Sequence, residues 1–208
     1  MANNRIEYID LAKGMCIILV VVFHIFAYYQ ISMPAGYFFR AFRMPLYFFL
    51  SGVFFKTYGS FGNFLKKKTN KLLIPFIFFY LTLSVFISIF LYKYFGIVIE
   101  KAKNFDILPA LTEFITRENF PNSPIWFLLC LFEVNILFFL CHFIADKYGK
   151  IRLKVLIALS MSIGMCGLLF SVFKVNIPMF IDSSMTAILY DGICYQSLHI
   201  SIKTKYAG

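Results

Sequence analysis

The chain has 208 residues, of which 61% are hydrophobic and only 14% are charged, and its mean hydropathy is +0.79. A soluble domain usually has close to a quarter of its residues charged. These values exclude an ordinary soluble globular domain and indicate an integral membrane protein. Membrane topology and contact with anionic lipid account for the net charge of +10, so we expect no nucleic-acid partner.

Six apolar stretches are candidates for transmembrane helices, because a bilayer core needs roughly 20 consecutive apolar residues. The sixth is the weakest, since it carries Asp191, Gln196 and His199. In chain order the stretches cover residues 14–31, 37–55, 72–95, 124–145, 155–173 and 183–200. The expected fold is therefore all-α: a single domain over residues 1–208, built as a polytopic bundle of about six transmembrane helices.

The lysines and arginines predict the orientation of these helices. With the N-terminus inside, the two densest basic clusters, at 66–71 and 147–154, lie on the cytoplasmic side. We therefore expect a multi-pass protein of the cell membrane with a cytoplasmic N-terminus. The long outer connection at 96–123 has apolar residues at helical spacing, with Asp106 as an N-cap candidate. This pattern predicts a short amphipathic helix at the outer surface.

The stretch "KGMCIILVVVFH", residues 13–24, combines a long apolar run with two ionisable residues. In a helix, Lys13 and His24 share a face and stand about 16 Å apart along the axis, and Asp10 lies near the same line. Ionisable residues inside a membrane are functional candidates. The residues alone leave a second interpretation open, in which His24 is a structural hydrogen-bonding residue and Lys13 an interfacial anchor.

Five segments in order resemble the acyltransferase 3 family of membrane proteins. "YIDLAKGMCIILVVVFH" (8–24) resembles its first-helix signature, in which a basic residue precedes a functional histidine by the spacing of Lys13 and His24. The Lys-Gly form is similar to the branch labelled fucose 4-O-acetylase-like. The other four segments are "FRMPLYFFLSGVFFK" (42–56), "FLKKKTNKLLIPFIFFY" (64–80, the basic inner loop and third helix), "NSPIWFLLCLFEV" (122–134) and "IPMFIDSSMTAILYDG" (177–192).

The resemblance implies a membrane-bound O-acyltransferase. Such a protein moves an acyl group, commonly acetyl, from acyl-CoA inside the cell to a hydroxyl of a cell-surface sugar or glycan, with no metal. His24 then acts as the general base. Lys13, Lys68 and Lys71 hold the CoA phosphates as point charges.

Four residues are weaker candidates for contacts with the acceptor. Arg40 and Arg43 stand at the outer start of the second span, where interfacial anchoring is the alternative role. Trp126 lies near the outer boundary, as an aromatic-belt residue or at the acceptor entrance. Glu133 lies within the fourth span and needs a partner, for which a lysine or histidine of another helix is expected.

Members of the family generally have longer chains with more spans than this one. We therefore expect a chain truncated at its C-terminal side relative to the family, with poor activity by itself. Two other functions stay open at this point: an inactive remnant or partner subunit, and a small transporter with His24 and Glu133 along its pathway. The sequence predicts neither the acceptor sugar, nor the acyl length, nor the oligomeric state.

Overall fold

A computed structural model describes residues 7–29, 45–49, 51–52, 55–82, 90, 93–94, 125–175 and 177–206. All regular structure among these residues is helical, which confirms the all-α prediction. The connection at 96–123, with its expected amphipathic helix, lies outside the described residues, and so do Arg40 and Arg43.

The first helix, α1, is Glu7–Tyr28 and contains the whole 13–24 stretch, which confirms that this stretch is helical. An apolar run in a membrane must bond its backbone groups internally, and a helix does so. Cys16 is buried against Leu46, Tyr47 and Phe49 of a second helical segment at 45–49. The apolar side chains on the opposite side of α1 are exposed, as expected for a surface that contacts lipid.

The next helix begins earlier than the sequence predicted. Helix α2 is Phe61–Lys68, a π-helical turn follows at Thr69–Leu73, and α3 is Ile74–Phe79. The lysines at 66–71, expected in an inner loop before the span at 72–95, are therefore helical. Packing explains the difference, because Phe64 is completely buried and its ring lies 4.5 Å from that of Phe139.

Pro75 accounts for the π turn. A proline inside a helix has no N–H to donate, and its ring collides with the carbonyl four residues earlier, here that of Lys71. The widened turn accommodates this collision, and the N–H of Ile74 bonds to the carbonyl of Thr69 instead. Such π turns are rare and occur often at functional sites.

The segment Trp126–Val172, of 47 residues, is the helical stretch within the described residues that is long and apolar enough to cross a membrane. Gly149, with φ 48° and ψ −110°, breaks it into α4 (Trp126–Ala145) and α5 (Arg152–Val172), joined by a 3-10 turn at Asp146–Ile151. Each helix is about 30 Å long, which matches the hydrocarbon core of a bilayer. The expected total of six spans stays a prediction.

The last helix, α6, is Ile181–Tyr206 and follows a 3-10 turn at Pro178–Phe180. It packs antiparallel to α5 over small residues of α5. A Cβ on Gly167 would lie 2.6 Å from the backbone nitrogen of Thr186, and a Cβ on Gly192 would lie 2.7 Å from the Cβ of Ser160. Small residues let membrane helices approach this closely.

Helix α6 also packs on α4, and these two helices run parallel. Ser184 bonds to Cys130 near the start of α4, Ala187 packs with Val134, and Ile188 belongs to the cluster around Phe138. Residues further along α6 therefore contact residues further along α4, as expected for parallel helices. Helices α4, α5 and α6 form the core on which the earlier elements pack.

We expect Gly167→Ala to lower the midpoint of thermal unfolding by about 3–10 °C, because overpacking a tight contact costs about 1–3 kcal/mol. The measurement is thermal unfolding of the detergent-solubilised protein. Gly62→Ala is the matched control, because the nearest atom to a Cβ there is the Ser60 hydroxyl, 4.0 Å away. Equal midpoints for the two variants would contradict the close α5–α6 packing.

We expect a topology reporter inserted after Gly59 or after Lys150 to report the cytoplasm, and one inserted after Lys174 to report the outside. The first two sites flank basic clusters, and the third lies at the opposite end of α5 from the second. Alkaline phosphatase, which is active only outside the cytoplasm, is the reporter. The opposite pattern would reverse the predicted orientation.

Candidate functional site

His24 lies on α1 beside the face that packs on the 45–49 segment. It is half-buried, and its ring meets that of Phe23 edge to face with 6.0 Å between the centroids. His24 stands about 80° around the helix from the buried Cys16. Lys13 belongs to the same helix, while its side chain is outside what the structure describes. One rigid helix therefore joins the two residues, about 16 Å apart along its axis.

Lys68 turns into the protein interior. Its ammonium donates a hydrogen bond of 2.5 Å to Oδ1 of Asn135 on α4. Asn135 is only 2% exposed, and its amide donates to the carbonyl of Leu131 at 2.6 Å. This second bond leaves the amide oxygen of Asn135 facing Lys68. The lysine thus has a fixed acceptor inside the bundle.

Asp191 of α6 is buried in the same helix bundle. It is 1% exposed. Gly52 covers one side of it, where a Cβ would lie 2.8 Å from both Cα and Oδ1 of Asp191. Among the residues that the structure describes, none donates a hydrogen bond to Oδ1. We call Lys68, Asn135 and Asp191 the buried polar cluster.

Lys71 has a different environment from Lys68. It lies in the π turn and is exposed, and it follows Lys68 by only three residues. Its neighbour Leu72 packs on a cluster that includes Leu131 and Val134, near the middle of α4. The structure therefore does not bring the two lysines into one exposed patch, and it places both beside α4 rather than in a loop beyond its end.

Glu133 has a described partner on α6. The hydroxyl of Ser184, which is fully buried, donates to Oε2 of Glu133 at 2.6 Å and lies 3.1 Å from Sγ of Cys130. A lysine or histidine partner for Glu133 stays a prediction. The contact makes Glu133 part of the α4–α6 interface.

We expect Ser184→Ala to destabilise the fold by about 1.5–3 kcal/mol, the usual value of a hydrogen bond to a charged group. Thermal unfolding measures the loss. Ser162→Ala is the matched control, because Ser162 is exposed and bonds only to Ala158 of its own helix among the contacts described. A loss no larger than that of the control would show that the Glu133 contact contributes little.

Trp126 begins α4 at the predicted outer end. Its ring stacks on that of Phe180, with 5.4 Å between the centroids. Phe180 and the preceding Met179 have φ values of 65° and 60°, in the left-handed region that such residues rarely occupy. Strain of this kind persists only where the surrounding structure requires it. Here it places Phe180 against Trp126.

A second set of polar contacts fastens the opposite end of α4. His142 is 2% exposed and its ring stacks on Phe55 at 5.0 Å. Arg152 donates to Nδ1 of His142 at 3.2 Å and pairs through Nε with Asp146 at 2.6 Å. Since Nδ1 accepts this bond, it is the nitrogen without a proton. These contacts hold the α4–α5 turn in place.

The chain matches a known protein family over most of its length. The family described as an acyltransferase domain, acyltransferase 3, matches residues 6–193 of the chain. The chain belongs to the acyltransferase 3 family. Acyltransferase 3 proteins transfer acyl groups and are generally embedded in membranes, in agreement with the apolar helices of this chain. No curated protein and no solved structure matches it.

Three buried polar residues of this acyltransferase 3 protein were not singled out from its sequence as site residues: Asn135, Ser184 and Asp191. Each is a polar residue in an otherwise apolar span, which is a usable signal in a membrane protein. From the sequence alone, the charge of Asp191 only made the sixth apolar stretch a weaker candidate for a transmembrane helix. Its burial shows instead that it belongs to the protein interior.

Proposed function

We propose that the protein is a membrane-bound O-acyltransferase that moves an acetyl group from acetyl-CoA to a hydroxyl of a cell-surface sugar or glycan. The observation that carries the proposal is the acyltransferase 3 match over residues 6–193. It includes α1, which holds Lys13 and His24 on one helix. The proposed location is the cell membrane.

His24 is the general base in this proposal. Its neutral imidazole takes the proton of the acceptor hydroxyl as the oxygen attacks the thioester carbonyl. The new carbon–oxygen bond forms, the carbon–sulfur bond breaks, and the departing thiolate of CoA takes the proton from the imidazolium.

The donor phosphates need positive charge. Lys13 lies on the same helix as His24, about three turns before it, so that a CoA molecule held at Lys13 extends its thioester arm towards the imidazole. Lys71 is exposed and free of the buried polar cluster, which suits a contact with a phosphate group. Lysines act on phosphates as point charges.

The acceptor sugar is proposed to bind at the predicted outer half of α4. Trp126 and Glu133 are seven residues apart, which is about two turns, so they lie along one stripe of that helix. An aromatic ring and a carboxylate on one stripe offer an apolar surface and a hydrogen-bond acceptor to a sugar. Arg40 and Arg43 are proposed to lie at the same end of the bundle.

The test is transfer of radiolabelled acetyl from acetyl-CoA to cell-surface polysaccharide in membranes that contain the protein. We expect base-labile label in the polysaccharide, above the level in membranes from the same host without the protein. Lack of label with every acceptor tried would contradict the proposal. Movement of a sugar across proteoliposomes without acetyl-CoA would favour the transporter alternative instead.

A further inference from the structure

Phe180 covers part of Trp126, a residue of the proposed acceptor site. The two rings are stacked, with 5.4 Å between their centroids and 30° between their planes. Both residues are half-buried, and both pack on the buried cluster of Phe76, Tyr80 and Leu129. One face of the indole is therefore occupied by a ring of the same protein.

The turn that carries Phe180 is strained. Met179 has φ 60° and ψ 23°, and Phe180 has φ 65°. The left-handed conformation is unfavourable for residues other than glycine, because Cβ comes too close to the following carbonyl oxygen. Both side chains pack on the same aromatic cluster as Trp126, and this packing offsets the strain. The turn is thus held closed by contacts and against its backbone preference.

The strained segment is short and fixed on both sides. Pro178 precedes it, with a φ that its ring restricts, and α6 begins directly after it. One turn into α6, the hydroxyl of Ser184 donates to Oε2 of Glu133 on α4 at 2.6 Å and fastens the helix. A change in the direction of the Phe180 ring therefore falls on Met179 and Phe180 and leaves α6 in place.

A sugar ring suits the surface that Phe180 occupies. One face of such a ring consists largely of C–H groups, and burying this face against an aromatic ring is favourable. Trp126 offers the aromatic ring, and Glu133 lies about 10 Å further along the same stripe of α4. The covered face of the indole has room for Phe180 or for a sugar, and not for both at once.

We propose that Phe180 is a gate on the acceptor site. Without an acceptor its ring covers Trp126. An acceptor sugar displaces the ring and stacks on the indole, and Met179 and Phe180 then leave the left-handed conformation. The relief of strain offsets part of the free energy needed to separate the two rings. The inference rests on the proposed function, since it takes the sugar acceptor as the occupant.

The first experiment uses the fluorescence of Trp126, which is the single tryptophan of the chain. We expect Phe180→Ala to raise the acrylamide quenching constant about twofold in detergent, because it uncovers one of the two faces of the indole. Phe173→Ala is the matched control, since Phe173 is 72% exposed, and it should leave the constant unchanged. A constant for Phe180→Ala equal to that of the unaltered protein would overturn the covering role of Phe180.

The second experiment tests the strain with two variants of Met179. Met179→Gly and Met179→Ala both remove the side chain, but only glycine adopts a positive φ without steric cost. Met179→Gly should therefore favour the covered state, and we expect it to bind the acceptor about threefold or more weakly than Met179→Ala, because apparent affinity falls with the fraction of open protein. Equal affinities, or tighter binding by Met179→Gly, would overturn the role of the strain.

The probe for binding is the cell-surface polysaccharide of the transfer assay, freed of its acetyl groups by base and titrated against the fluorescence of Trp126. We expect Phe180→Ala to bind it more tightly than the unaltered protein, by about threefold or more, because no ring has to be displaced. Phe173→Ala should bind it as the unaltered protein does. Weaker binding by Phe180→Ala would show that Phe180 is a contact of the sugar and not a gate.

The gate and the proposed function fail in distinguishable ways. If the unaltered protein transfers acetyl to the polysaccharide and Phe180→Ala has the same KM for it, the gate is wrong and the proposed function stands. If no transfer occurs, the proposed function and the sugar as occupant are both contradicted. The quenching experiment uses no sugar, and its result still decides whether Phe180 covers Trp126.

Discussion

Replacing His24 by alanine should lower acetyl transfer about 10²- to 10⁴-fold, the usual cost of losing a general base. Binding of acetyl-CoA should be nearly unchanged, since the donor phosphates are proposed to contact lysines and not the imidazole. The measurements are the rate of label transfer in membranes and equilibrium binding of the donor. A loss of rate with intact binding is the signature expected of a residue that acts in the chemical step.

Two variants separate this role from a structural one. His24→Gln keeps a hydrogen-bonding side chain and removes the base, so we expect it to be as slow as His24→Ala. Phe23→Leu removes the described ring contact of His24 and keeps the base, so most of the activity should remain. Normal turnover by His24→Gln would show that His24 is only a polar contact between helices.

Lys13→Ala should weaken acetyl-CoA binding about 10- to 100-fold, because a hydrogen bond to a charged group contributes about 1.5–3 kcal/mol. The rate at saturating donor should change little, while Lys13→Arg should bind nearly as the unaltered protein does, because arginine keeps the charge. Lys66→Ala is the control, since Lys66 is an exposed lysine in the last turn of α2. An equal loss in both variants would indicate general attraction to anions and no specific contact.

The apolar helices were predictable from the sequence, because long uncharged runs have one stable backbone arrangement in a bilayer. Helices α4 and α5 follow the predicted stretches closely, whereas α1 begins seven residues before the predicted start at 14. The start of α2 was not predicted, since the three lysines at 66–68 suggested a loop. The packing of Phe64 decides it, and packing of this kind depends on α4, far along the chain.

The candidate site was predictable only in part. The spacing of Lys13 and His24 needs nothing beyond one helix, and the helix is present. The direction of Lys68 depends on Asn135, which α4 contributes, and Lys71 lies in the π turn. Pro75 was a visible signal for a disturbed helix. Its consequence for two lysines could not be worked out before the partner helices were placed.

The contacts of α6 restrict the number of residues between its buried polar side chains. Ser184 and Asp191 are both buried and are seven residues apart, about two full turns, so they lie on one stripe of the helix. A single residue inserted between them would rotate Asp191 by about 100° relative to Ser184. One of the two would then leave its partners, whatever residue was inserted. The same insertion after Phe173, in the turn before α6, would change the direction of neither side chain. Insertions and deletions should therefore be tolerated in that turn, and hardly at all between Ser184 and Asp191.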